Sequence, residues 1–217
     1  MTLATVPDEL QGCWQRAWIE FADGTRDDTS LVIWLQLPSL MADVRLSADA
    51  VALGAAGLTG FADCSLAQLQ LLAASESSAG ATSCTPIAVG ADGVHRATAS
   101  WTSVVGFQAV SAFPEPGLLE FGADGTVMIE RAPSGAYVEE WRLVPGSRDV
   151  LEHAVLANGG EWYRAGSAGV FVHDRRRAAA ALDCEFSLAR LGPDDAFVIE
   201  ASTLPWRVGA VVALALG

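Results

Sequence analysis

The sequence predicts an all-β fold with one or two short helices, arranged as an antiparallel up-and-down β-barrel. Three observations predict it. Turn dipeptides punctuate the chain at Asp23-Gly24, Asp92-Gly93, Asp124-Gly125 and Asn158-Gly159; such pairs adopt positive φ at little cost and are strong hairpin signals. Short runs rich in β-branched and aromatic residues lie between them. The runs are not separated by the regular helical stretches that parallel sheets require.

The strand-like runs fall at residues 12–21, 29–37, 43–46, 94–101, 117–121, 126–131, 137–143, 150–156, 162–164, 169–173, 184–188, 197–201 and 207–216. That spacing suits a meander closed into a barrel. Leu66, Leu69, Gln70 and Ala73 recur at helical spacing, so a helix is expected over residues 65–74 with Asp63 as its cap. Residues 75–83 read as a small-polar loop, and alanines near residues 176–182 suggest a second helix. One barrel over residues 1–217 is the expected organisation; two similar β halves, about 1–110 and 111–217, are the alternative. The alternative draws on a faint repeat, since residues 19–25 echo 119–126 and residues 34–38 echo 141–145. Convergent hairpin chemistry accounts for the same echo.

Composition bounds the function. Over 217 residues, 51% are hydrophobic and 18% charged, enough for a sizeable core and against disorder. A net charge of −13 argues against nucleic-acid and anionic-membrane partners. All 13 basic residues are arginine, which together with abundant alanine and glycine reads as the codon bias of a GC-rich bacterial genome. Residues 1–12 carry no basic leader, and the longest apolar stretch, 208–217, is about half of the roughly 20 residues a span needs. A cytoplasmic protein is the expectation. Cys13, Cys64, Cys84 and Cys184 are scattered without a Cys-x-x-Cys pair and read as small apolar residues, so no metal is implied.

Side chains alternate along a strand, so each polar residue can be assigned a face. Trp14, Arg16, Trp18 and Glu20 share one face of the first run, opposite Cys13, Ala17, Ile19 and Phe21. Trp34 and Gln36 share a face, as do Asp43 and Arg45, and so do Tyr137, Glu139 and Trp141. Tryptophans gathered beside arginine, glutamine and glutamate suit neither a solvent face nor a purely apolar core. A pocket walled by aromatics with a few polar anchors satisfies both constraints. A buried Arg–Glu network closing one barrel end, with the tryptophans as a lid, is the other arrangement the pattern allows. A one-residue bulge would invert any of these assignments. The candidate pocket residues are Trp14, Arg16, Trp34, Gln36, Arg45, Glu120, Tyr137, Glu139 and Trp141.

Gly12-Cys13-Trp14 resembles the Gly-x-Trp opening of the calycins, the lipocalin and fatty-acid-binding barrels. That resemblance implies an arginine on or after the last strand, packed over the tryptophan; Arg207 is the matching residue. A longer pattern runs through Trp14-x-Arg16, Asp23-Gly24, Trp34-Leu35-Gln36, Asp43-x-Arg45, Leu119-Glu120-Phe121-Gly122 and Tyr137-Val138-Glu139-Glu140-Trp141. It resembles a fungal double-calycin family of casein-kinase interactors and related bacterial proteins of unassigned function, over about residues 10–145. The resemblance implies a calycin-like barrel and lends no established activity.

Other motifs weigh less. Gly54, Gly57 and Gly60 imitate a dinucleotide loop, but lack the following parallel strand and an acid spaced to hold a ribose. His95, His153 and His173 lie on different runs without metal-ligand spacing. A haem ligand role for His153 or His173 is the exception the calycin likeness leaves open. Residues 174–177, Asp-Arg-Arg-Arg, read as a solvated turn. Glu120, Glu139 and Glu140 would serve as general acids or bases if buried together, and as partners of Arg16 and Arg45 otherwise. The reading that follows is a non-catalytic barrel without a cofactor. It would hold a small amphipathic or carboxylate-bearing ligand, with Arg16 and Arg45 as anion anchors. Its alternatives are an isomerase or dehydratase using Glu120 or Glu139, and a protein-interaction scaffold with a filled interior.

Overall fold

A computed structural model describes residues 4–111, 113–176 and 181–214. The chain begins its sheet with β1 (Gly12–Phe21), the short β2 (Arg26–Asp27), β3 (Leu31–Gln36) and β4 (Leu40–Leu46). Helices α1 (Ala48–Ala52) and α2 (Leu66–Ala73) follow, then β5 (Ser78–Cys84), the short β6 (Ala88–Val89) and β7 (His95–Gly106). Strands β8 (Gly117–Phe121), β9 (Val127–Arg131) and β10 (Tyr137–Leu143) complete the first sheet. Its main strands pair antiparallel in the order β1-β3-β4-β5-β7-β8-β9-β10, and β10 returns to pair with β1. The result is a closed eight-strand barrel, as the sequence predicts and compatible with a calycin-like one.

The expected single barrel over the whole chain differs from what forms. The barrel strands end at Leu143, and a second sheet follows: β11 (Leu151–Val155), β12 (Glu161–Ala165), β13 (Ala168–Asp174), β14 (Cys184–Leu191) and β15 (Phe197–Ser202). It is an antiparallel meander in chain order. The halves 1–110 and 111–217 do not correspond to either sheet, because β8, β9 and β10 belong to the barrel. The physical reason is amphipathicity. The outward residues Ile33, Leu35, Ala42 and Val44 are fully buried, and against them pack Val170, Phe186 and Leu188 of the second sheet. The barrel's outer wall on this side is therefore itself a core, and the second sheet covers it. The sheet's other face carries its own cluster of Trp162, Phe171, Phe197 and Ile199.

All four turn dipeptides place glycine at positive φ: Gly24 at 81°, Gly93 at 78°, Gly125 at 66° and Gly159 at 82°. The helix expected over 65–74 forms as α2, but Ser65 caps it, accepting from the Gln68 amide in a capping box. Asp63 instead receives the backbone N–H and hydroxyl of Thr59. Residues 75–83 were expected as a loop, yet 78–84 form β5. Pairing with β4 and β7 on both sides overrides the weak strand propensity of these small residues. Gly54, Gly57 and Gly60 fall after α1 in short 3-10 turns and a loop, without the parallel strands a dinucleotide site needs.

The run 207–216 departs from expectation too. Pro205 opens a 3-10 turn through Arg207, Gly209 takes a φ of 84°, and residues 209–212 meet β15 through three backbone hydrogen bonds and an isolated bridge at Val211 instead of a full strand. The helix near 176–182 falls mostly on residues 177–180, outside those described. Trp14 does carry an arginine above it, but from elsewhere. The Arg148 guanidinium lies 5.9 Å from its ring centroid, just after β10, whereas Arg207 bonds Glu185.

Candidate functional site

The barrel interior has an apolar end and a polar end. At the apolar end Val6, Leu10, Trp14, Ala99, Phe121 and Met128 pack together as a core. The Trp14 indole N–H donates to the Leu10 carbonyl at 2.7 Å, which ties the N-terminal segment into this end. Toward the other end lies a cavity of about 340 Å³. That is within the ordinary range of small-molecule sites, roughly 300–1,000 Å³. The segment between β7 and β8 supplies its rim through exposed Gln108, Ser111 and Pro114. Gln108 anchors that segment by donating to the carbonyls of Ala73 and Ser75, each at 2.7 Å.

Three indoles form one wall. Trp34 meets Trp101 edge-on at 5.6 Å between centroids and Trp141 at 5.7 Å. Phe113 stands at the mouth, edge-on to Tyr137 at 5.2 Å, with the Arg45 guanidinium 4.9 Å from its ring. Gly117 makes this packing feasible. A Cβ there would lie 2.7 Å from Trp101 and 3.0 Å from the Glu130 side chain.

Charged groups fill the remaining walls. Five carboxylates, Asp43, Glu76, Glu115, Glu130 and Glu139, line the cavity against one guanidinium, Arg45. Arg16 reaches the same network from the adjoining 180 Å³ recess. It pairs with Asp27 at 2.8 Å and Glu139 at 3.1 Å. The Arg45 Nε donates to Asp43, and its Nη1 stands 3.9 Å from Glu139. That Nη1 and the Trp34 Nε1 have neither a hydrogen-bond partner nor solvent contact, so neither donor is presented to the cavity. Burial opposes the Arg45 charge, but Asp43 and Glu139 outweigh it and raise its pKa.

Among the described residues no arginine lies within ion-pair distance of Glu130. One carboxyl oxygen accepts from the Tyr137 hydroxyl at 3.0 Å, the other from the Trp141 indole at 3.1 Å. Burial first, and the neighbouring Glu139 charge second, push its pKa up to about 8. The same surroundings raise the Tyr137 pKa, again through burial and then the Glu130 charge.

Of the residues named from sequence, Trp34, Arg45, Glu139 and Trp141 line this cavity, Tyr137 backs it, and Arg16 joins it through Glu139. Three stand elsewhere. Trp14 belongs to the apolar end. Gln36 is buried in a closed set of hydrogen bonds to Thr82, Leu37 and Leu40. Glu120 points outward, where it meets Arg96 at 2.9 Å and Arg131 at 3.7 Å, because its neighbours Leu119 and Phe121 take the inner face. A bulge between Arg16 and Trp18 also inverts the second half of β1. Ile19 therefore turns inward beside Tyr137, while the Trp18 indole lies outside, bonded to Glu140 and stacked under Arg26.

Sequence reasoning missed Glu130, Glu76 and Trp101. Glu130 was within reach, since alternation along β9 sets it on the face of Met128, directly across from Glu139. Trp101 likewise alternates with Ala97 and Ala99. Elsewhere, His153 bonds Glu161 and His173 faces Arg175. Among the described residues no group of three His, Cys, Asp or Glu side chains is placed to hold a metal ion. No helix of the described residues is long and apolar enough to cross a membrane. A scan against family models matched none, and searches of curated proteins and solved structures returned no match. The calycin likeness thus stands on the barrel itself.

Proposed function

We propose that this chain is a ligand-binding calycin-like barrel, holding a small amphipathic molecule at the polar end of its interior without transforming it. The observation that carries this reading is the cavity of about 340 Å³ left inside a closed barrel, walled by Trp34, Trp101 and Trp141. A barrel of this size is otherwise filled by side chains or built around one small ligand. The open interior also departs from the filled barrel that a pure interaction scaffold calls for. Titration of the protein with fatty acids, retinoids, haem and amphipathic amines, followed by tryptophan fluorescence, tests it. Saturable quenching by one class is the expected result, and a flat response to every class overturns the reading.

One observation favours a second reading, that of a proton-transfer enzyme of isomerase or dehydratase type. Glu130, in place of the Glu120 or Glu139 expected, is a cavity carboxyl with a raised pKa and, among the described residues, no arginine partner. Solvent-deuterium exchange into small carbonyl compounds, lost in Glu130→Gln, would favour it; exchange equal in both proteins would remove it.

A further inference from the structure

We propose, resting on the reading of the barrel as a ligand container, that its cavity takes an amphipathic cation: an amine or quaternary ammonium group on a compact apolar body. The charge balance of the walls is the first argument. Five carboxylates face one guanidinium, and the nearby Arg16 still leaves acids in excess. With Glu130 neutral, the remaining carboxylates still outnumber the two guanidiniums.

Both arginines are already matched by the protein's own acids. Arg16 has Asp27 and Glu139, and Arg45 has Asp43 with Glu139 and the Phe113 ring close by. An incoming carboxylate would meet Asp43 and Glu139 beside those arginines and be repelled. The anion-anchor role expected of Arg16 and Arg45 is therefore taken by the protein's own acids.

The aromatic wall is the second argument. Indole faces attract cations through their quadrupoles, and a box of rings set at steep angles is the arrangement that recognises quaternary ammonium groups. Trp34 meets Trp101 at 75° and Trp141 at 71°, edge to face, as one aromatic wall. The Arg45 guanidinium already lies over the Phe113 and Trp141 rings, so the Trp34–Trp101 part of the wall is what a ligand would meet. An ammonium group lying in the cavity against this wall would be drawn to both the indoles and the carboxylates.

Glu76 is the third. It lines both the main cavity and the adjoining recess and is exposed. Among the described residues, Arg16 and Arg45 pair with Asp27, Asp43 and Glu139, and no arginine comes within ion-pair distance of it. Its backbone neighbours are pinned: Ser75 and Ser77 bond each other at 3.1 Å, and their hydroxyls bond the Arg45 carbonyl and amide. Those two serines hold an unmatched carboxylate at the entrance, where a ligand's positive head would pass or lodge.

The test uses the full chain, calorimetry and three probes of similar body: benzyltrimethylammonium, its neutral isostere neopentylbenzene, and 3-phenylpropionate. The expected result is saturable binding of the cation, at least about tenfold tighter than the neutral compound, with no binding of the anion. Equal or tighter binding of the neutral or anionic probe overturns the proposal and leaves the container reading intact. If none of the three binds while fatty acids or retinoids do, the proposal again falls alone. If nothing binds, both fall. Glu76→Gln, at an exposed position outside the core, should weaken the cation about fivefold to tenfold and leave neopentylbenzene unchanged. An unchanged cation affinity in that variant overturns the assignment of Glu76.

Discussion

Replacing Glu130 with glutamine should change the sign of its effect on stability as pH rises. In the unfolded chain a glutamate gives up its proton near 4.5, whereas in the folded barrel burial and Glu139 hold the proton up to about 8. Between these values the folded state binds more protons, so stability falls as pH rises and levels off above 8. At about 1.4 kcal/mol per pKa unit the full effect is on the order of 5 kcal/mol, or roughly 10 °C in melting temperature for a chain of this size. Glu130→Gln removes that dependence but has its own cost. Its carboxamide has one acceptor oxygen for the two donors that Glu130 serves, so either the Trp141 N–H or the Tyr137 hydroxyl proton loses its partner whichever way the amide is turned. Such a lost buried partner costs about 1–3 kcal/mol. Wild type should therefore melt higher at pH 5, and the variant should match or exceed it at pH 9. Thermal unfolding by circular dichroism across pH 5–9 measures the difference. A gap between the two proteins that stays constant with pH, or widens in favour of wild type, would refute the reasoning.

Three further outcomes follow from packing and burial. Gly117→Ala should cost about 1–3 kcal/mol by urea denaturation, because its Cβ would press on Trp101 and Glu130 at 2.7 and 3.0 Å; a neutral effect would mean the tryptophan wall is loosely held. Phe186→Ala should cost about 3–5 kcal/mol, since the ring is fully buried where the second sheet meets the barrel; a loss below about 1 kcal/mol would show that interface to be weak. Burial pushes the thiols of Cys13 and Cys184 up to about 11, so at pH 7.5 these two should react slowly with a thiol reagent in native protein, whereas denatured protein exposes all four cysteines. Rapid native labelling of Cys13 would contradict its burial.

Local rules carried the reading as far as strands and turns. The runs at residues 12–21, 117–121 and 137–143 coincide with β1, β8 and β10, because each couples a clear apolar–polar alternation to a glycine turn. β5 escaped notice for the opposite reason. Ser-Ala-Gly-Ala-Thr-Ser-Cys has almost no side-chain signal, and its strand exists because β4 and β7 offer ladders on both sides. The second sheet's attachment was equally hidden, since Ile33 and Leu35 look the same whether they face a barrel interior or a neighbouring layer.

The pocket illustrates where alternation works and where pairing must be added. Trp34, Arg45, Glu139 and Trp141 came together because each lies on an unbroken stretch of strand, where period two holds. Glu120 was assigned by its motif rather than by its face, and its own alternation with Leu119 and Phe121 sends it outward. Trp18 failed because one extra residue, Ala17, sits between paired Arg16 and Trp18, and nothing in the local sequence announces that bulge. The decisive omission was a cross-strand one. Arginines 16 and 45 look like anion anchors when each strand is read singly. Once registers are set, β10 brings Glu139 against Arg16, β9 brings Glu130 beside Glu139, and Asp43 stays with Arg45. The same residue types that suggested a site for a carboxylate thus assemble into one whose own carboxylates already occupy the arginines. What that leaves toward a ligand is the indole wall and, at Glu76, a carboxylate with no arginine in ion-pair distance among the described residues, and the proposal of a cationic ligand rests on those two.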